Sequence, residues 1–117
     1  MTKISNLKES ILIYAAGESG SRFFLKLTEL GLEKKVIGFL DSSPELQGKR
    51  CCDLEIFDTK KLLSNLNKTS IVIATTTPEF IKQIQSTLKT CGVHEDDIFL
   101  HSDFYDPNAY NANEIKK

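Results

Sequence analysis

One stretch of the chain, residues 11–41, constrains its fold more than any other. An apolar run, Ile11–Tyr14, leads into the turn Ala-Ala-Gly-Glu-Ser-Gly at 15–20, and a helical segment then precedes a second apolar run, Val36–Leu40, which ends at Asp41. A strand, a glycine turn, a helix, a second strand and a terminal acid in this order are typical of a βαβ unit that binds a dinucleotide. The stretch therefore predicts a kind of ligand and its pose, but no reaction.

The rest of the chain continues the alternation of strands and helices. The expected elements are a helix from Gly20 to Leu30, a weak third strand within 51–57, a short helix from Asp58 or Thr59 to Leu66, a fourth strand at 71–74, a helix that is capped by Thr77 and ends before Gly92, and a fifth strand at 98–100. Such alternation favours a parallel sheet with right-handed crossovers. We therefore predict an α/β, Rossmann-like three-layer fold with a five-stranded parallel sheet in the order 3-2-1-4-5. Ligands would then bind between strands 1 and 4, where the strand order reverses.

Length, charge and cysteine content exclude several classes of protein. A chain of 117 residues is expected to form one domain, and we assign residues 1–104 to it and residues 105–117 to a tail or linker. The net charge of −1 favours neither nucleic acid nor an anionic membrane as a partner. The apolar runs are too short to span a bilayer, and Met1–Ser10 contains no apolar signal core. Three cysteines, two of them adjacent, do not suggest a disulfide framework, so the cytoplasm is the expected compartment.

The glycine turn spells Ala-x-Gly-x-x-Gly and replaces the first glycine of the usual fingerprint by Ala15. That position serves the tight turn, and alanine is the least disruptive replacement if its φ is negative. Gly17 lets the backbone approach a pyrophosphate, and Gly20 lets the helix pack on the strand. The N–H groups at the helix start, together with the hydroxyl of Ser19, can hold phosphates.

Acidic and hydroxyl residues follow the second and fourth strands. Asp41 lies about 20 residues after Gly20, which is the spacing expected for the acid that holds a ribose diol. A carboxylate there repels a 2′-phosphate, so NAD is preferred over NADP. Thr75 and Thr76 either face the nicotinamide half of the ligand or fill a turn before the helix. The candidate cofactor-binding residues are Ala15, Ala16, Gly17, Glu18, Ser19, Gly20, Asp41, Ser42, Thr75 and Thr76.

The sequence does not support the common catalytic and metal-binding patterns. The chain has no Tyr-x-x-x-Lys pair, so the proton relay of short-chain dehydrogenases is absent. No ligand spacing joins Cys51 and Cys52 with His94 or His101 into a metal site, and reduced structural cysteines are expected. We therefore predict no catalytic residue and no metal ligand, and whether the chain is part of an enzyme is left open.

Segments 13–20 and 36–49 resemble one bacterial family. Their sequences, Ile-Tyr-Ala-Ala-Gly-Glu-Ser-Gly and Val-Ile-Gly-Phe-Leu-Asp-Ser-Ser-Pro-Glu-Leu-Gln-Gly-Lys, are similar to the Rossmann nucleotide-binding domain of CapD-like polysaccharide-biosynthesis proteins, the nucleotide-sugar dehydratases and epimerases. The similarity extends weakly over most of the chain. The chain departs from the family pattern at Ala15, Asp53 and Glu55, where glycine, glycine and proline are usual.

The resemblance implies an NAD(P)- or nucleotide-binding domain of nucleotide-sugar metabolism and surface-polysaccharide biosynthesis. The catalytic domain of the longer family members is not in this chain, so a further catalytic domain or a partner protein is expected beside it. NAD is the expected cofactor, with NADP and coenzyme A as alternatives. A competing interpretation is a non-catalytic sensor that binds a nucleotide-sugar or coenzyme A and regulates a partner. A third is an assembly domain without a ligand, and formation of a homo-oligomer is left open.

Overall fold

The computed structural model describes residues 6–58 and 68–105. In chain order, its elements are β1 (Ser10–Tyr14), α1 (Gly17–Glu29), β2 (Val36–Leu40), β3 (Arg50–Cys51), β4 (Leu54–Phe57), β5 (Thr69–Ile73), α2 (Pro78–Thr90) and β6 (Ile98–Leu100). Short 3-10 turns precede β2 and β6, and another follows β6. The helix expected to end at Leu66 and nearly all of the 105–117 tail lie outside the described residues. Within the described ranges, no helix is long and apolar enough to cross a membrane.

The strands form one mixed sheet in the order β3-β4-β2-β1-β5-β6. Neighbouring strands from β4 to β6 in this order run parallel, while β3 pairs antiparallel with β4. The prediction of five strands in an all-parallel sheet is therefore wrong in detail, because the segment 51–57 belongs to a hairpin and is not a single strand. The order reverses between β1 and β5, since the chain goes from β1 to β2 on one side and later returns to β5 on the other.

β1 lies at the centre of the sheet because it is apolar on both faces. Ile11, Leu12 and Ile13 are each 0% exposed, as expected for a strand that is covered by layers above and below. Phe23 of α1 packs against one face, and Leu88 of α2 packs against the other. The result is a three-layer arrangement in which the sheet separates the two helices.

Both helices end in the same way. Gly31 follows α1 with a φ of +76°, and Gly92 follows α2 with a φ of +95°, a conformation that glycine adopts without a steric penalty. After α1, the Leu32 N–H donates to the Leu27 carbonyl, with 2.8 Å between nitrogen and oxygen. This is a Schellman motif, which satisfies carbonyl groups that the helix would otherwise leave unpaired.

The start of α1 and the cap of α2 differ from the sequence-based expectation. α1 begins at Gly17 and not at Gly20, so the second half of the glycine turn is already helical. α2 begins with Pro78 in the first turn, where proline is favoured, but the Thr77 side chain makes no capping hydrogen bond. The predicted capping role of the Thr77 hydroxyl is therefore wrong.

Candidate functional site

The predicted site residues follow three neighbouring strands and meet at the carboxyl edge of the sheet. The glycine turn (15–20) begins after β1, Asp41 and Ser42 follow β2, and Thr75 and Thr76 lie between β5 and α2. Open α/β sheets bind their ligands at this edge, where the strand order reverses. Two open clefts lie there, one lined by residues of α2 and the other by residues of α1.

The glycine turn has left-handed backbone at two positions. Ala15 has a φ of +92°, and Gly17 has a φ of +82°. The negative φ under which alanine would be the least disruptive replacement is therefore not found, and alanine holds there a conformation that costs it about 1–2 kcal/mol relative to a right-handed one. The Ala15 N–H donates to the Leu40 carbonyl, with 2.8 Å between nitrogen and oxygen, which fastens the turn to the end of β2.

Ala15→Gly should stabilise the domain by about 1 kcal/mol, because glycine adopts this φ without strain and the relief exceeds the extra chain entropy that glycine loses. Ala15→Val should destabilise the domain, since a β-branched residue is a stronger outlier at positive φ. Equilibrium unfolding in urea measures both effects. A lower unfolding free energy for Ala15→Gly would mean that the packing of the Ala15 methyl group outweighs its strain.

The two glycines of the turn have different roles. A Cβ at Gly17 would meet no atom within 4 Å, so the backbone there is open to a ligand. A Cβ at Gly20 would lie 2.2 Å from the Ala15 carbonyl oxygen and 3.1 Å from the Phe39 ring. Gly20 is thus required for the close packing of α1 on the sheet, and it is buried beneath the turn.

The amino-terminus of α1 lies at the same edge. The first N–H groups of a helix have no partner within the helix, and no side chain caps α1 at Ala16. The positive end of the helix dipole therefore favours an anion there. Glu18, in the first turn, pairs with Arg22 at 2.9 Å from Oε2 to Nη2, which lessens its repulsion of a bound anion.

Asp41 joins the end of β2 to the glycine turn. Its Oδ2 accepts a hydrogen bond from the Ala16 N–H at 2.9 Å, and its Oδ1 accepts one from the Ser43 N–H, also at 2.9 Å. A carboxylate has about four acceptor positions, so each oxygen keeps one for a ligand hydroxyl. The two backbone bonds fix the orientation of the carboxylate before any ligand arrives.

The cleft beside α2, named the Asp41 cleft, has a volume of about 330 Å³. It is lined by Ala15, Asp41, Ser42, Thr75, Phe80 and Gln83, among others. Phe80 is 54% exposed, so an aromatic ring is open to a ligand there. A carboxylate and an exposed aromatic ring in one cleft suit a nucleoside, which carries a ribose diol and a planar base.

The cleft beside α1, named the His101 cleft, has a volume of about 380 Å³. Its polar lining comes from Ser19 and Arg22 of α1, from Thr76, and from His101 and Ser102 directly after β6. The sequence alone does not point to His101, because Ser19, Arg22 and Thr76, which share the cleft with it, are distant along the chain. The one available signal is that it immediately follows the apolar run 98–100.

His101 is held neutral by its surroundings. Its Nδ1 is buried and has no hydrogen-bond partner in the part of the chain that the structure describes. Burial lowers the pKa of His101 below its usual 6.5, and the charge of Asp103 has a smaller, opposite effect. Buried N–H groups without an acceptor are rarer in proteins than buried acceptors without a donor. We therefore assign the ring proton to Nε2, which makes that nitrogen a donor for a ligand.

Stability should fall as the pH is lowered through 6.5, because the unfolded chain then takes up a proton that folded His101 resists. The contribution of His101 to the free energy of unfolding is fully present above pH 6.5, and it is lost as the pH falls towards the lower pKa of His101 in the folded state. His101→Gln should remove this part of the pH dependence, whereas His94→Gln, at the exposed second histidine, should retain it. Urea unfolding from about pH 5 to about pH 8 measures both, and identical profiles for His101→Gln and the parent would contradict the assignment.

The predicted site residues all lie at this edge, but they do not form a single pocket. Those that line the Asp41 cleft are Ala15, Asp41, Ser42 and Thr75, and those that line the His101 cleft are Ser19 and Thr76. The remaining ones belong to the turn between the clefts: Ala16, Gly17, Glu18 and the buried Gly20. Among the described residues, no group of His, Cys, Asp and Glu side chains could hold a metal ion.

No protein-family model matches this sequence, and no curated protein sequence matches it. Solved structures do match. UDP-D-quinovosamine 4-dehydrogenase from Vibrio fischeri is 18% identical, with a TM-score of 0.58, and the match covers 80% of this chain and 77% of that one. RSP, a Rex-family repressor, in complex with β-NADH is 20% identical, with a TM-score of 0.58, and the match covers 97% of this chain and 65% of that one. The acetyltransferase domain of PglB from Neisseria gonorrhoeae FA1090, in complex with acetyl coenzyme A, is 18% identical, with a TM-score of 0.53. The match covers 73% of this chain and 40% of that one.

The match thus spans less than two thirds of the length of the repressor and of the acetyltransferase chain. Identities this low establish a shared fold, and a shared fold does not establish a shared activity. From these similarities we conclude that the chain has a Rossmann-like fold.

Proposed function

We propose that the chain binds NAD along the carboxyl edge of its sheet. The observation that carries the proposal is a pair of clefts of similar volume, about 330 and 380 Å³, beside a helix amino-terminus that no side chain caps. A dinucleotide consists of two nucleosides joined by a pyrophosphate, and Rossmann-like folds hold the pyrophosphate at such a helix start. The similarity to RSP, whose structure contains β-NADH, supports the proposal.

The pyrophosphate is placed at the glycine turn. Gly17 has no side chain and faces open space, so phosphate oxygens can reach the backbone. The N–H groups of Gly17, Glu18 and Ser19 would donate to them, assisted by the helix dipole. Arg22 is 75% exposed at its side chain and can exchange Glu18 for a phosphate oxygen.

The adenosine half fits the Asp41 cleft. Asp41 keeps acceptor capacity for both ribose hydroxyls, because its two backbone bonds occupy only one position on each oxygen. Phe80 offers a ring on which adenine can stack, and Gln83 supplies an amide for the edge of the base. Ser42 and Thr75 add hydroxyl groups around the ribose.

The nicotinamide half is placed in the His101 cleft. The second ribose and the carboxamide need polar partners, and Thr76, Ser102 and the Nε2–H of His101 provide them. The ligand would pass from one cleft to the other across the glycine turn, so the whole set of predicted site residues would serve one molecule.

In the cell, we place this module in nucleotide-sugar metabolism or surface-polysaccharide biosynthesis, as the NAD-binding part of a dehydratase-, epimerase- or dehydrogenase-like protein of the cytoplasm. The resemblance of segments 13–20 and 36–49 to CapD-like proteins supports this context, and so does the fold shared with UDP-D-quinovosamine 4-dehydrogenase. The sequence has no Tyr-x-x-x-Lys pair. The reacting groups would therefore come from a further domain or a partner protein.

A second candidate function is a sensor that binds a nucleotide and regulates a partner. The structural similarity to RSP, a repressor, favours it at a TM-score of 0.60. The net charge of −1 does not favour DNA as the partner of this chain. Coenzyme A is the alternative ligand of such a sensor, since the similar PglB domain was solved with acetyl coenzyme A.

A ligand panel distinguishes these candidates. The chain is unfolded in urea in the presence of NAD, NADH, NADP, coenzyme A or a UDP-sugar. A ligand at about 100 times its Kd should add about 2.7 kcal/mol to the unfolding free energy. We expect NAD or NADH to do so. Stabilisation by coenzyme A or the UDP-sugar alone would favour the sensor, and no stabilisation by any ligand would favour an assembly domain.

Phe80→Ala should weaken NAD binding by about tenfold, because stacking of a base on an aromatic ring contributes about 1–3 kcal/mol. Leu25→Ala is the matched control, since Leu25 is also a large exposed apolar residue, at 63%, but lies on α1 and lines neither cleft. Isothermal titration calorimetry measures both affinities. If Phe80→Ala bound NAD with unchanged affinity, the adenine base would not lie in the Asp41 cleft.

A further inference from the structure

The loop of the β3–β4 hairpin has an unusual backbone for its residues. Cys51 pairs with Leu54, so Cys52 and Asp53 form a two-residue loop, and their φ values are +53° and +66°. Tight hairpin loops with two left-handed residues favour Asn-Gly or Asp-Gly, because glycine and asparagine tolerate this backbone. A cysteine held in a strained conformation suggests a functional constraint at this loop.

The two adjacent thiols of this loop lie close together. The Cys51 and Cys52 sulfurs are 3.8 Å apart, and Cys52 is exposed while Cys51 is half-buried. The Cys51 sulfur also lies 3.3 Å from the Ser21 hydroxyl of α1. Cys91, the third cysteine, is exposed at the end of α2. The hairpin therefore presents a dithiol that is reachable from solvent and touches the helix of the glycine turn.

We propose that Cys51 and Cys52 form a redox-active pair that a low-molecular-weight disulfide such as oxidised glutathione converts reversibly into an intrachain disulfide. The Cys52 thiolate first attacks the exogenous disulfide and releases one thiol, which leaves a mixed disulfide on Cys52. The Cys51 thiolate then attacks the Cys52 sulfur and releases the second thiol. In total, two protein thiols lose two electrons and two protons, and one disulfide is reduced to two thiols.

The geometry favours a labile bond over a permanent one. The Cα atoms of adjacent residues are about 3.8 Å apart across a trans peptide, which is shorter than the usual span of about 4.4–6.8 Å in a disulfide. A bond formed across so short a span is strained, and strained or exposed disulfides are the readily reduced ones. Burial, followed by the neighbouring Cys51, raises the pKa of the Cys52 thiol, so the first attack should accelerate at alkaline pH.

Closing the bond should also change a contact between the hairpin and α1. The Cys51 sulfur must approach Cys52, which draws it from the Ser21 hydroxyl. Oxidation would therefore loosen the attachment of the hairpin to the helix, and reduction would restore it. This consequence does not depend on which ligand the clefts bind.

The test is oxidation of the folded protein by oxidised glutathione, followed by intact mass measurement and peptide mapping. We expect a Cys51–Cys52 link in both proteins: Cys91→Ser should become lighter by two hydrogen masses, and in the parent any glutathionyl group should be confined to the exposed Cys91. Cys51→Ser and Cys52→Ser should instead carry a glutathionyl group on the remaining hairpin thiol. Dithiothreitol should reverse the reaction in every case. A parent product that carries only glutathionyl groups, or that pairs through Cys91, would overturn the proposal.

The same equilibrium in urea-unfolded protein shows whether the hairpin promotes the bond. The folded hairpin holds the two sulfurs 3.8 Å apart, and we expect this preorganisation to outweigh the loss of the Ser21 contact, so that the equilibrium constant for disulfide formation is roughly tenfold higher in the folded chain. The comparison uses Cys91→Ser in glutathione buffers of graded composition. Equal constants in folded and unfolded protein would assign the reaction to any pair of adjacent cysteines and overturn the role of the hairpin.

Discussion

Gly17→Asp should weaken NAD binding by at least about 100-fold, since a like charge placed against a ligand costs several kcal/mol. Aspartate tolerates left-handed backbone better than most residues, and its Cβ would meet no atom within 4 Å, so the fold should survive. Its carboxylate would occupy the space through which the pyrophosphate approaches the helix start, and it would itself be held there by the helix dipole. Isothermal titration calorimetry with NAD measures the loss.

Gly92→Asp is the matched control for this substitution. Gly92 has a similar φ of +95° and equally open surroundings, but it follows α2 at the amino edge of the sheet. Gly92→Asp therefore imposes the same kind of backbone strain as Gly17→Asp, but its side chain does not reach either cleft. Equal NAD affinities for Gly17→Asp and Gly92→Asp would contradict the placement of the pyrophosphate at the glycine turn.

NAD should bind at least about 10-fold more tightly than NADP, which corresponds to about 1.4 kcal/mol. The 2′-phosphate of NADP would lie against the Asp41 carboxylate, whose orientation is fixed by the N–H groups of Ala16 and Ser43. Hydrogen bonds to a charged group are worth about 1.5–3 kcal/mol, and NADP would lose one from the modified hydroxyl as well as meeting the repulsion. Parallel titrations with NAD and NADP measure the ratio, and equal affinities would remove Asp41 from the ribose site.

Asp41→Asn should bring the ratio of the NAD and NADP affinities towards one. An amide carries no charge to repel a phosphate, and it retains one carbonyl oxygen as an acceptor. The variant should also lose about 1–3 kcal/mol of stability, because one of the N–H groups bonded to Asp41 is left without an acceptor. Glu45→Gln, which changes an exposed acid in the same loop, should leave both the ratio and the stability as they are. If Asp41→Asn still bound NAD at least about 10-fold more tightly than NADP, another group would be responsible for excluding NADP.

The central layer of the fold could be predicted from the sequence because it depends on local patterns. Ile11–Tyr14 is apolar at every position, so burial on both faces follows directly. The hairpin at 50–57 could not be predicted in the same way, since its loop residues, Cys52 and Asp53, lack the Asn-Gly signature of such turns. The backbone conformation of this loop depends on contacts with the rest of the fold. Without a turn signature, residues 51–57 resemble one weak strand in the sequence.

The positions of the candidate site residues could be predicted where these residues directly follow strands. The glycine turn and Asp41 belong to a pattern with fixed spacing, and the structure brings them within hydrogen-bonding distance through Ala16. The left-handed backbone at Ala15 could not be inferred, because alanine normally avoids it. Nor could the His101 cleft, since only the packing of β6 beside β5 brings His101 near α1 and Thr76.

The most direct test of the central claim is a titration of the isotopically labelled chain with NAD, followed by amide NMR signals. Binding across the carboxyl edge should shift the signals of Gly17, Glu18 and Ser19 together with those of residues lining both clefts. Signals of Gly31 and Gly92, at the far ends of the helices, should stay in place. Absence of any shift at millimolar NAD, or shifts confined to residues away from the glycine turn, would contradict the account.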